Sequence, residues 1–321
     1  MIDLDTLERA ATLVRLVVPE TLQYCWPLLS RRVGAELWVK HENHTPIGAF
    51  KIRGGLVYLD EVKRSQPDIH GVVTATTGNH GQSIALAAAR LGLAATIVAP
   101  FGNSAEKNRA MVGFGARLVE AGHDFQAAYE YAVALAERER LHLVRSYHAL
   151  LVCGVATYGL ELFRAVPDLD TVYVPIGLGS GICGVIAARE ALGLAAEIVG
   201  VVSENAPTYA LSFAAGRPVS TNSADTMAGG LAVRVPDPEA LDIICRSAAR
   251  IVTVSEAEIR RAMRILFSDT HNVAEGAGAA PLAAALQECH RLRGKRVAVV
   301  QSGGNIDRAL FAEILAEQDP D

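Results

Sequence analysis

Short β-branched runs alternate along the chain with longer stretches in which apolar positions recur every three or four residues. The first pattern suits strands and the second helices. Strands are predicted at 37–41, 72–76, 95–99, 117–120, 142–145, 171–175, 197–202, 251–254 and 296–300. Several are apolar at every position, as parallel strands covered on both faces should be. Between two of them Phe125, Ala128, Tyr129, Ala132, Val133 and Ala136 share a helical face, which leaves the charges of 137–140 outward. Further helices are predicted at 80–91, 182–191, 256–267 and 305–316. The alternation implies an α/β chain with helices packed over mainly parallel sheets.

Composition narrows the picture. At 321 residues, half of them apolar, the chain exceeds the size at which one core stops growing, so two lobes meeting at a cleft are expected. A formal charge of -5 without a basic cluster offers no field for a phosphate backbone, so nucleic acid is not an expected partner. Cys25, Cys153, Cys183, Cys245 and Cys289 lack CxxC spacing and sit in apolar stretches, which implies reduced, buried thiols and a cytoplasmic location. The start carries no basic, apolar leader. The uncharged run 172–188 is interrupted by glycines and Pro175, so no membrane segment is expected. The tail 317–321 is expected to fray, and no regulatory domain is expected beyond the last helix.

Four glycine-containing turns carry the candidate chemistry. Of only five lysines, Lys51 lies between Phe50 and Ile52 at a helix start, where desolvation would free its amine for a Schiff base; the alternative is a lysine reaching out to water. Thr76, Thr77, Gly78, Asn79 and His80 follow a strand and open a helix, a grouping that suits a carboxylate, or else a plain structural turn. Gly177, Leu178, Gly179, Ser180 and Gly181 follow another strand, and their amides and helix start suit a phosphate. The same stretch through Gly184 also fits GxGxxG, with Glu204 beyond the next strand, so a dinucleotide competes. Ser302 follows the last buried strand, and Glu275 precedes a run of small residues, where it could be merely an N-terminal helix charge.

In this order the motifs resemble the serine/threonine dehydratase family of pyridoxal-phosphate enzymes, which also holds serine racemases and hydroxyaspartate and phenylserine dehydratases. The resemblance runs from about Pro19 to the last helix. It implies the fold type II architecture of that family: two open parallel-sheet lobes, a large cofactor lobe from 1–45 and 149–321 and a small mobile lobe from 46–148. Lys51 would then hold pyridoxal 5′-phosphate as a Schiff base and act as the base at Cα. Phe50 would pack on the ring, Asn79 would bond its 3′-oxygen, 177–181 would wrap the phosphate, and Ser302 would face the pyridine nitrogen with Glu275 nearby. Thr76, Thr77, Gly78, Asn79 and His80 would receive the substrate carboxylate. The implied reaction removes water from a β-hydroxy-L-amino acid, giving a 2-oxo acid and ammonia, in a homodimer or tetramer.

Departures from the family bear on the details. Residues 146–157 are more apolar than the family's corresponding loop, which suggests a bulkier substrate such as phenylserine. Relatives that bind a cation carry a second acid six positions after the one matched by Glu204, and here Ala210 stands there, so no metal ligands are assigned. Thr77 keeps a hydroxyl where racemases place their second acid or base, so racemisation is an alternative outcome. A nicotinamide-dependent dehydrogenase is the rival from another class, and it leaves Lys51 and Ser302 unexplained.

Overall fold

A computed structural model describes residues 2–318. The chain runs α1 (Leu4–Arg15), β1 (Gln23–Cys25), α2 (Pro27–Val33), β2 (Glu36–His41), α3 (Lys51–Ser65), β3 (Gly71–Ala75), α4 (Asn79–Arg90), β4 (Ala94–Ala99), α5 (Ala105–Gly113), β5 (Arg117–Glu120), α6 (Phe125–Glu139), β6 (His142–Leu143) and α7 (Ala149–Ala165). It continues with β7 (Thr171–Pro175), α8 (Ser180–Ala191), β8 (Glu197–Ser203), α9 (Thr208–Ala215), α10 (Pro238–Ser247), β9 (Arg250–Val254), α11 (Glu256–Thr270), α12 (Gly276–Gln287), α13 (Cys289–Leu292), β10 (Arg296–Gln301) and α14 (Arg308–Ala316).

Two sheets result. One has the order β1-β2-β10-β7-β8-β9 and the other β5-β4-β3-β6, and all pairs are parallel except the antiparallel β1–β2 edge. Alternation along each strand covers both faces. In the larger sheet Val172, Val174, Ala298 and Val300 pack with α7 and α8, while Tyr173, Val297 and Val299 pack with α11 and α12. In the smaller one Val72 and Ile97 face α3 and α4, and Val73, Ala75 and Val98 face α6. Each sheet reverses its strand order once, between β10 and β7 and between β3 and β6. Ligands of open α/β sheets bind outside the carboxyl ends at such reversals. Ser302 follows β10, residues 177–181 follow β7, and residues 76–80 follow β3.

Several sequence expectations need correction. Strand β1 is absent from the pattern because three edge residues are too few to show a period. Strand β6 stops at Leu143, although Val144 N still donates to Val73 O. Helix α14 starts at Arg308 rather than Asn305, whose side chain is occupied elsewhere. In α6 the buried face is Ala128, Ala132, Leu135 and Ala136, and Phe125 is exposed. Cys153 and Cys183 are buried, but Cys245 is exposed on α10 and Cys25 and Cys289 are half-buried. Glu317, expected to fray, is held by Arg260 at 2.6 Å, and 319–321 lie outside the described residues. Among the described residues no helix is long and apolar enough to cross a membrane; 172–188 divides between β7 and α8.

Candidate active site

Beyond β2 the chain turns through Thr45, whose Oγ1 donates to Ala49 O (2.7 Å) and accepts from Ala49 N (2.9 Å). Gly48 makes the turn with φ +68°, and a Cβ there would lie 2.8 Å from Asn305 Oδ1. Phe50 N then donates to Ser302 O at 3.0 Å, and Ala49 bridges Gly303. The start of α3 is therefore tied directly to the loop after β10. Lys51 is its first residue. Its Nζ donates to Ser180 Oγ at 3.4 Å and lies 5.1 Å from the Phe50 ring centroid. Burial lowers the amine's pKa to about 8, against a smaller opposing pull from the Glu275 carboxylate.

The loop after β3 is shaped by Thr76 Oγ1, which accepts from Gly78 N at 3.1 Å. Thr76 and His80 are buried, while Thr77 is exposed. Asn79 donates to Glu275 Oε1 (2.7 Å) and accepts from Asn305 Nδ2 (2.8 Å), and Asn305 also donates to Ile47 O (2.7 Å). His80 is held neutral: burial, with the Lys51 charge adding to it, pushes its pKa down to about 3. Its Nε2 is buried without any hydrogen-bond partner. An unpaired buried polar atom is costly unless a bound group satisfies it.

In the loop after β7, a Cβ on Gly177 would lie 2.2 Å from Gly230 O, and Gly179 takes φ +102°. Only glycine suits either place. The Leu178 carbonyl accepts from Tyr209 Oη (2.9 Å), which in turn accepts from Asp237 N (3.0 Å). Gly181 differs, since a Cβ there would meet nothing nearer than Tyr158 Oη at 3.6 Å and Phe50 Cζ at 3.7 Å. The chain leaves room at that point beside the amides that open α8, which have no partners within the helix.

Ser302 is buried at the end of β10, and Gly303 is needed because its Cβ would fall 2.5 Å from Glu275 Oε1. Glu275 precedes α12 but makes no cap bond. The helix-charge reading of it gives way to a buried carboxyl on Asn79, with a pKa raised by burial against the pull of Lys107, Asn79 and Lys51. Three links thus converge where the carboxyl ends of the two sheets meet, Lys51 to Ser180, Phe50 N to Ser302 O and Asn79 to Glu275, and the space they surround is the candidate crevice. Sequence reasoning gave Asn305 no role of its own and missed Tyr209 and Glu256, which accepts from Ser203, Thr226 and Met227 N to pin the turn that carries Gly230. Only Asn305, in the Ser302 motif, had a local signal.

The crevice fits pyridoxal 5′-phosphate. It offers a desolvated amine, a glycine-lined helix start for a phosphate, and an orphaned His80 nitrogen for a further polar group. A dinucleotide fits less well. Gly184 is explained by helix packing, its Cβ falling 2.9 Å from Ala156 N on α7, and Glu204 is exposed after β8. Among the described residues no group of three or more His, Cys, Asp or Glu could hold a metal. The apolar segment does not wall the crevice, because Leu151 and Cys153 pack against α3 and Tyr147 and Val152 join the core around α8. These residues are core, and they supply no apolar wall for a bulkier substrate such as phenylserine.

A family model described as "Pyridoxal-phosphate dependent enzyme" matches residues 20–303. The chain is 35% identical to the L-threonine ammonia-lyase of Thermotoga maritima over 319 residues, 98% of this chain and 78% of that one. It is 31% identical to a catabolic L-threonine dehydratase of Staphylococcus aureus, covering 96% and 90%. Among solved structures, processed threonine deaminase isoform 2 of Solanum lycopersicum superposes with a TM-score of 0.90 at 27% identity, covering 98% and 95%. Maize serine racemase does so at 0.91, also 27% identical, covering 97% and 96%.

Proposed function

Since the chain belongs to the pyridoxal-phosphate-dependent enzymes, within their serine/threonine dehydratase family, we propose that it is a lyase removing water from L-threonine or L-serine, releasing a 2-oxo acid and ammonia. Pyridoxal 5′-phosphate, when bound, supplies an aldehyde that condenses with amines and a ring that withdraws electrons from the adjoining carbon. The observation that carries the reading is Lys51: a desolvated amine at the first turn of α3, facing the Ser180 hydroxyl at the phosphate-type loop.

The roles follow from position. Lys51 would hold the cofactor and, as a free amine, would take the Cα proton, a task its pKa near 8 suits at neutral pH. Gly177, Leu178, Gly179, Ser180 and Gly181 bind the phosphate through backbone amides, aided by the dipole of α8. Phe50, whose ring stands edge-on to Tyr158 at 6.0 Å, would pack against the cofactor ring. Asn79, Glu275 and Asn305 form one hydrogen-bonded chain that would meet polar groups of the cofactor. Thr76, Thr77, Gly78, Asn79 and His80 receive the substrate carboxylate. Ser302 offers a neutral hydrogen bond and so cannot hold a proton on a ring nitrogen as an aspartate would. With that neutral partner the bound ring would withdraw electrons less strongly, which would favour loss of the β-hydroxyl over transamination.

The four-stranded lobe moves as the smaller body over the site, and the enzyme works in the cytoplasm as a homo-oligomer. Exposed Thr77 supplies the hydroxyl that racemisation needs, so both outcomes are to be assayed. Lys51→Ala is expected to abolish ammonia release from L-threonine and L-serine together with the visible absorbance of the bound cofactor. Persistence of both would remove the lysine from its role, and formation of enantiomer without ammonia would replace the lyase with a racemase.

A further inference from the structure

Arg53 lies two residues beyond Lys51, and positions so spaced on a helix face away from each other. Its side chain is wholly buried. Nε donates to Glu42 Oε2 (2.7 Å) and Nη2 to Glu42 Oε1 (3.0 Å), while Nη1 and Nη2 donate to the two Glu161 oxygens (2.7 and 2.8 Å). Thr157 and Thr21 accept the remaining bonds at 3.1 and 3.2 Å. Lys40, also fully buried, donates to Glu161 Oε2 (2.7 Å) and Thr21 O (2.6 Å). Two cations face two carboxylates, so the cluster is neutral. Burial alone would lower the Arg53 pKa, but the two glutamates overcome it and hold it raised.

Buried ion clusters are poor sources of stability, because apolar residues of the same size often do as well. What a doubly bidentate guanidinium supplies is direction. The cluster joins α3 to the end of β2 and to α7, where the neighbouring Tyr158 donates to Gly181 O at 3.1 Å. Helix α7 therefore holds both the turn bearing Lys51 and the loop facing it. A rotation of α3 by about 10° would move an amine some 6 Å from its axis by about 1 Å, using the usual helix radius with side chains. Displacements of that size cost roughly 100-fold in rate.

We propose that Arg53 is a positioning residue for the reaction, its clamp between Glu42 and Glu161 setting the azimuth of α3 and so the aim of the Lys51 amine. The proposal rests on Lys51 being the cofactor's anchor. Two variants test it: Arg53→Lys, which keeps the charge but not the fork, and Arg53→Met with Glu161→Gln, which keeps the cluster neutral against Glu42 and Lys40. Expected in the folded fraction of either holoenzyme are a 10- to 100-fold fall in kcat with KM within threefold, a changed visible circular dichroism, and less cofactor fixed to residue 51 by borohydride as read by peptide mass. If kcat, dichroism and labelling all stay at wild-type level while only the thermal midpoint falls, Arg53 is merely structural and the proposal is overturned. Label retained elsewhere in Lys51→Ala would instead overturn the reading beneath it, so the two failures are distinct.

Discussion

Replacing Gly154 with alanine sets a Cβ 2.2 Å from the Arg53 carbonyl oxygen, 2.7 Å from its carbon and 2.8 Å from Gly54 Cα. Ordinary contacts begin about 1 Å further out. All three obstructing atoms are α3 backbone, so no flexible side chain can yield. The crossing is tight from the other side too, since a Cβ on Gly54 would lie 2.8 Å from Leu151 O. Helices α3 and α7 must therefore part by about 1 Å. That opening stretches the 2.7 and 2.8 Å bonds from Arg53 to Glu161 past a useful length. Overpacking costs about 1–3 kcal/mol and losing a charged hydrogen bond about 1.5–3 kcal/mol. Because the two share atoms, the expected total is about 3 kcal/mol rather than the full sum, roughly a 100-fold change in folding equilibrium. Urea unfolding followed by tryptophan fluorescence, with kcat measured in parallel, reads both effects. Gly113→Ala is the control, because its Cβ meets nothing within 4 Å. Stability within about 0.5 kcal/mol of that control, with kcat within twofold, would refute the claim that a rigid backbone contact between α3 and α7 aligns the site.

Two pH effects follow from burial. With a pKa near 8 in place of the usual 10.5, about a tenth of Lys51 is free amine at pH 7. Attachment of pyridoxal phosphate to cofactor-stripped protein should accelerate with pH and reach half its plateau near pH 8, and a flat profile from pH 7 to 9 would count against the desolvated amine. Between pH 8 and 10.5 only the unfolded chain holds that proton, so this group's contribution to stability rises with pH there. His80 and His41, buried with pKa values near 3 and 4, refuse protons that the unfolded chain accepts below about pH 6.5. Stability should consequently fall as pH drops from 6.5 to 4, by up to about 1.4 kcal/mol per unit for each. His80→Gln should remove one such increment from the slope of unfolding free energy, and an unchanged slope would contradict it.

What the sequence made legible was local. Lys51 between Phe50 and Ile52 opens a helix, and the turn from Thr76 to His80, the glycines from Gly177 to Gly181 and Ser302 each sit beside a strand end, where a few neighbours state the chemistry. Arg53 lies within the same short motif, yet its partners Thr157 and Glu161 stand 104 and 108 residues away, and no local pattern points to them. Helix α7 is buried almost all round, so its apolar residues gave no helical stripe and were assigned to a substrate wall instead of a core. The helix predicted from Asn305 begins only at Arg308, and the Asn305 side chain is held by Ile47 O and Asn79. Glu256 likewise begins α11 while its carboxylate serves the turn before Gly229.

The central place of β10 has a bearing on how the polypeptide matures. Val297 pairs on one side with Leu37 and on the other with Thr171, so the middle of the larger sheet closes only after residues 296–301 have been made. The smaller sheet draws its four strands from 71–143 and can assemble while translation proceeds. Ser302 and Asn305 follow every other residue of the candidate crevice in the chain, and it takes shape only with their arrival. A nascent chain therefore carries Lys51 before Ser302 and Asn305 exist beside it, so its surroundings are complete only once β10 has docked between β2 and β7.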